Sequence, residues 1–98
     1  MQIKTFSTAR QLVNGGYLKM KISELRKILS ERGVKSNTYS VEGPGLNDRE
    51  YRLEKDGILW VTYGAERDER VGIREFLSEE DACRHFLDML LKDPITRR

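Results

Sequence analysis

Residues 51–63 read YRLEKDGILWVTY, and the reading of the fold starts from them. Tyr51-Arg52-Leu53-Glu54 alternates apolar and polar side chains, the pattern of a half-buried strand. Asp56-Gly57 is a tight connector, because glycine accepts the positive φ that hairpin turns demand. Ile58 to Tyr63 follows as a β-branched and aromatic run with apolar side chains on both faces. Such a run predicts a central strand covered on at least one face by helices.

Outward from this hairpin the chain offers further strands. Gly64 to Glu69 reads as a charged loop, and Arg70 to Phe76 as the last strand, with Val71 and Ile73 on one face. Upstream, Thr38 to Val41 reads as a short strand, followed by a turn at Glu42-Gly43-Pro44-Gly45 and a loop from Leu46 to Arg49.

Helices bracket the strands. Ile22, Leu25, Ile28 and Leu29 recur at helical spacing and predict a helix over 22–32. Ser23 is its expected N-cap and Glu24 suits its positive start. Gly33 fits the left-handed residue that ends a helix, with Val34 placed to touch Leu29. The second helix is expected over 79–92, on a stripe of Ala82, Cys83, Phe86, Leu87, Leu90 and Leu91. Ser78 is its N-cap, with Asp81 three residues on, Leu77 stapling onto Ala82, and Pro94 enforcing the stop.

The expected fold class is therefore α+β: an antiparallel sheet of three to four strands packed with N-terminal and C-terminal helices. Its expected core is Leu25, Leu29, Leu53, Trp60, Val61, Phe86, Leu87 and Leu90. Residues 20–94 form the single domain in this reading. Residues 1–19 are a leader or extension in which Thr8 to Val13 makes a helical turn or two, stopped at Asn14-Gly15-Gly16, and Met20 is an alternative translation start. Residues 95–98 are a tail.

Composition limits the function. The 98 residues suffice for one modest core. Cys83 is the only cysteine, which rules out an internal disulfide and a thiolate zinc site and fits a reducing, cytoplasmic setting. No apolar run approaches the roughly 20 residues of a membrane span. Net charge is +2, unevenly spread: residues 1–35 hold eight basic and two acidic side chains, and the remainder ten basic and fourteen acidic. The basic part invites comparison with phosphate-binding surfaces, through Lys19, Lys21, Arg26, Lys27 and Arg32, but Glu24 and Glu31 interrupt it and no stacking platform accompanies it.

Catalytic chemistry finds little footing. Cys83 and the single histidine, His85, are two residues apart on a helix and point to different sides, so they form no thiolate–imidazole pair. Cys83 reads as a buried structural thiol and His85 as solvated. Gly43-Pro44-Gly45 lacks the Lys-Ser/Thr of a phosphate loop. Asp68/Glu69 and Glu79/Glu80 read as solvated pairs, the latter explained by the start of a helix. No enzyme activity, cofactor or metal is expected. The acidic stretches point to a protein partner instead, because an acidic surface complements a basic one and speeds association. Asp48, Glu50, Glu66, Arg67, Asp68 and Glu69 are the candidate contact residues, with Tyr63 as an aromatic anchor at the strand end.

Trp60-Val61-Thr62-Tyr63, Glu66-Arg67 and the run Phe76-Leu77-Ser78-Glu79-Glu80-Asp81-Ala82-Cys83-Arg84-His85-Phe86 together resemble the small immunity proteins of bacterial polymorphic and contact-dependent growth inhibition toxin systems. The start Met20-Lys21-Ile22-Ser23-Glu24-Leu25 and Tyr39-Ser40 fit the same layout, so the resemblance spans residues 20–94. It implies a cytoplasmic protein that binds and neutralises a cognate toxin domain, frequently a nuclease, by stoichiometric contact. The chain departs from that pattern in its first 19 residues and at Asp68, where a glycine is expected after Glu66-Arg67, implying a wider loop. The alternative function is a small nucleic-acid-binding or regulatory module that uses the basic N-terminal third.

Overall fold

The hairpin at residues 51–63 extends further than its alternation indicates. In the computed structural model, which describes residues 20–45 and 47–97, β2 runs Arg49–Asp56 and β3 runs Leu59–Glu66. They pair antiparallel from Arg49↔Glu66 to Asp56↔Leu59. Gly57, at φ +64, takes the first position of the two-residue turn, which no side chain with a Cβ occupies without strain. The expectations for residues 1–19 and Leu46 lie outside the described residues.

β4, Glu69–Phe76, pairs antiparallel with β3, and β1, Tyr39–Val41, adds to the far side of β2. The sheet order is β1-β2-β3-β4. One expectation is corrected here: the sheet is mixed, because β1 runs parallel to β2, Tyr39↔Tyr51 to Val41↔Leu53. Parallel neighbours ordinarily need a long crossover. A three-residue strand demands a return of only about 10 Å, at roughly 3.3 Å per residue, and the loop from Glu42 supplies it without a helix.

The charged loop expected over 64–69 shrinks to Arg67-Asp68, since β3 continues to Glu66 and β4 resumes at Glu69. It is a two-residue turn, not the wide loop expected from Asp68. A bulge then interrupts the β3–β4 ladder. Thr62 faces Arg74 and Gly64 faces Val71, so Gly72 and Ile73 both lie opposite Tyr63, with Gly72 at φ +66. The added residue puts Val71 and Ile73 on opposite faces, where simple alternation had put them on one.

Two helices flank the sheet, α1 over Ile22–Glu31 and α2 over Glu79–Lys92. α1 ends as its sequence predicts. Gly33 takes φ +74, its N–H donates to the Ser30 carbonyl at 3.1 Å, and the Val34 N–H donates to the Leu29 carbonyl at 2.9 Å. Its N-cap is Lys21 rather than Ser23, and the Glu24 carboxylate accepts from the Lys21 N–H at 3.4 Å. Ser78 caps α2, accepting from the Asp81 N–H at 3.2 Å. The expected Leu77 staple is absent: Leu77 is exposed and Ala82 fully buried. Asp93 and Pro94 turn the chain into a single 3-10 turn, and the Thr96 hydroxyl donates back toward the α2 carbonyl of Leu90 at 2.7 Å. Thr96 is buried, and Val34 and Arg97 form a lone antiparallel bridge beside it.

The core lies on one face of the sheet. Leu25 and Leu29 from α1, Cys83, Phe86 and Leu90 from α2, and Leu53 and Val41 from the strands form a single buried cluster. Each such large apolar side chain contributes about 1.5–3 kcal/mol by leaving water. Trp60 and Leu87 are only partly buried against it. Val61 belongs elsewhere, with Tyr63 and Ala65, in a smaller cluster on the opposite face. The pleat explains this: Leu53 lies opposite Thr62, so the even positions of β3 face the helices and Val61 faces away.

Candidate functional site

The expected contact residues converge because two loops are joined at one end of the sheet. The Arg67 N–H donates to the Asp48 carbonyl at 2.6 Å, tying the β3–β4 turn to the segment that leads into β2. Asp48, Glu66, Arg67, Asp68 and Glu69 are all exposed there. Glu66 and Glu69 lie directly opposite each other across the turn. Like charges in that relation repel. Among the described residues no ion pair links Asp48, Glu66, Asp68 or Glu69 to a base. Arg67 itself sits at φ +59, a left-handed conformation that a residue with a Cβ adopts only at a cost.

Two of the expected contact residues face inward instead. Glu50 is buried and fully engaged: its Oε2 accepts from Arg52 Nε at 2.7 Å, and its Oε1 accepts from the Asn47 backbone and side-chain amides at 3.3 and 3.4 Å. Asn47 Nδ2 also donates to the Asn37 carbonyl at 2.9 Å, so this carboxylate anchors the loop before β2. Gly45 belongs to the same arrangement, since the Arg52 guanidinium fills the space a Cβ would need. Tyr63 is buried at 1% exposure, which removes it as a surface anchor. Its hydroxyl donates to Glu54 Oε2 at 2.5 Å, and the Arg70 guanidinium lies 4.6 Å from its ring centroid. Burial, and then the Glu54 hydrogen bond, raise the Tyr63 phenol above its ordinary pKa.

Sequence reasoning missed a groove beside this end. It occupies about 440 Å³ between the sheet and the end of α2, with Val71, Met89 and Ile95 as apolar walls and Arg49, Glu66 and Asp93 among its polar ones. The Tyr51 hydroxyl donates to Asp93 Oδ2 at 2.8 Å inside it, and burial together with Asp93 pushes that phenol up to about 12. Tyr51 read only as one position of an alternating strand, and Asp93 stood out in no pattern. The two are 42 residues apart, and no local pattern announces their contact.

The single thiol and the single imidazole both lie at least partly out of solvent. Cys83 is fully buried, and burial, followed by Glu79 and Glu42, pushes its thiol up to about 12. His85 is half-buried rather than solvated, its ring 5.4 Å from that of Phe76. Burial, and then Arg74, lower its pKa. Among the described residues no three His, Cys, Asp or Glu side chains gather as metal ligands. No helix among them is long and apolar enough to cross a membrane.

Comparison of the chain with protein-family models, with curated proteins and with solved structures gives no match.

Proposed function

We propose that this protein neutralises a toxin domain by binding it one to one, using the acidic end of the sheet as its main contact. The observation that carries the reading is the exposed set Asp48, Glu66, Asp68 and Glu69, gathered by one backbone hydrogen bond and holding an opposed glutamate pair to which no base is bonded among the described residues. A surface of this kind gains from a basic partner, because a cation placed between the glutamates removes their repulsion. Toxin domains that act on nucleic acid carry such basic faces, since they must bind phosphates. The fully buried thiol favours binding over catalysis. On this reading the protein works in the cytoplasm, where its target would act.

The nucleic-acid alternative is weakened by one contact. Arg26 Nη2 donates to the Val41 carbonyl at 2.9 Å, which holds one of the expected phosphate ligands against the sheet. Lys27 on α1 and Arg32 at its C-cap remain exposed. The test of the proposal is co-expression of the tagged protein with the product of the neighbouring gene. A one-to-one complex that rescues cells from that product supports it. No complex and no rescue refutes it.

A further inference from the structure

We propose that β4 is the pairing edge of a homodimer, in which two copies form one continuous eight-stranded sheet. Among the described residues β4 is an outer strand of eight residues, and seven of them are exposed. The other outer strand, β1, has only three residues. An open edge of this length offers unpaired backbone donors and acceptors to another strand. It is not blunted by an all-polar surface either: Val71 and Ile73 are about half exposed, and Leu77 directly after them is 75% exposed.

The choice of a second copy as occupant comes from charge and from the bulge. Glu69-Arg70-Val71-Gly72-Ile73-Arg74-Glu75 is symmetrical in residue character about Gly72. In a regular strand, two-fold antiparallel pairing about Gly72 would set Arg70 against Arg74 and Glu69 against Glu75, like against like. The bulge forbids that register. Arg70 lies opposite Ala65 and Glu75 opposite Val61, so both project on the face away from the helices. Val71 and Arg74 lie opposite Gly64 and Thr62, on the helix face. A two-fold axis at Gly72–Ile73 therefore sets Arg70 of one copy beside Glu75 of the other, twice, and Val71 beside Arg74, twice. Faces and charges match together only in this register. Arg70 lies over Tyr63 and reaches Glu54 Oε1 at 3.9 Å, yet keeps 57% of its side chain exposed, and Glu75 has no bonded partner among the described residues.

This dimer does not depend on toxin binding, and the toxin proposal does not depend on it. The experiment is sedimentation of the full chain over a range of concentrations. The wild type should pass reversibly from monomer to dimer. Glu75→Arg should keep its circular dichroism and weaken self-association about 30-fold, because two attractive pairs per dimer become repulsive. Arg70→Glu, checked for fold in the same way, should do likewise. A mixture of Glu75→Arg and Arg70→Glu should recover wild-type strength as a heterodimer, since each then supplies the charge the other lacks. A wild type that stays monomeric at every concentration, or a folded Glu75→Arg that dimerises as well as wild type, overturns the proposal.

Discussion

Glu79, the first residue of α2, caps the other helix: its Oε2 accepts a hydrogen bond from the Ile22 N–H of α1 at 2.9 Å. Sequence alone assigned this carboxylate to the positive start of its own helix. In the structure it stands between two helix starts and stabilises both, as an acceptor for one and a charge for the other. Glu79→Ala should lower stability by about 1–2 kcal/mol, the range for losing a charged cap, measured by urea unfolding. A loss below about 0.3 kcal/mol would place the bond outside the energetics of the fold.

The β3–β4 turn carries strain at Arg67, whose φ is +59. Arg67→Gly should relieve it and raise stability by about 0.5–1 kcal/mol, seen as a higher melting temperature. The Arg67 N–H bond to Asp48 uses backbone atoms, so the substitution retains it. A less stable variant would mean that the Arg67 side chain contributes more than its backbone costs.

Thr62 is fully buried on the helix face of β3, and its hydroxyl has no hydrogen-bond partner among the described residues. Thr62→Val keeps the branched shape and removes the stranded polar atom. It should stabilise the protein by about 1 kcal/mol in thermal or urea unfolding. Destabilisation would show that the hydroxyl is satisfied in solution.

His85 sets a pH dependence. Its folded pKa is lowered below the ordinary 6.5, first by burial and then by Arg74, with Lys92 acting in the same direction and Asp88 opposing. The unfolded chain therefore binds the proton more readily than the folded one. The contribution to stability is complete above pH 6.5 and is lost as pH falls through that value toward the folded pKa. His85→Gln should flatten this part of the stability profile, measured as melting temperature against pH. An unchanged slope would assign the dependence to other groups.

Most of the fold was legible in the sequence because local chemistry fixes it. Gly33 and Val34 end α1 through the two backbone bonds their order predicts, and Ser78 starts α2. Gly57 turns the first hairpin. Less legible were features set by partners distant in the chain. Nothing near Tyr39 says that its strand runs parallel to β2. Simple alternation could not register the extra residue at Gly72–Ile73, so it misplaced Val71 and Ile73 relative to each other. The acidic end was readable as charge, through Glu66, Asp68 and Glu69. That Asp48 joins them, and that Glu50 and Tyr63 turn inward, depends on pairing across the sheet. The groove at Tyr51 and Asp93 depends on it too.

The most direct measurement takes Glu66, Asp68 and Glu69 to Lys together and titrates the product by calorimetry against the proposed toxin partner, the product of the neighbouring gene. All three are exposed and have no ion pair among the described residues, so the variant should melt within about 0.5 kcal/mol of wild type in stability. Its affinity should fall by about 100-fold, and the salt dependence of the remaining binding should shrink. A folded triple variant that binds as tightly as wild type would contradict the assignment of the contact to the acidic end of the sheet.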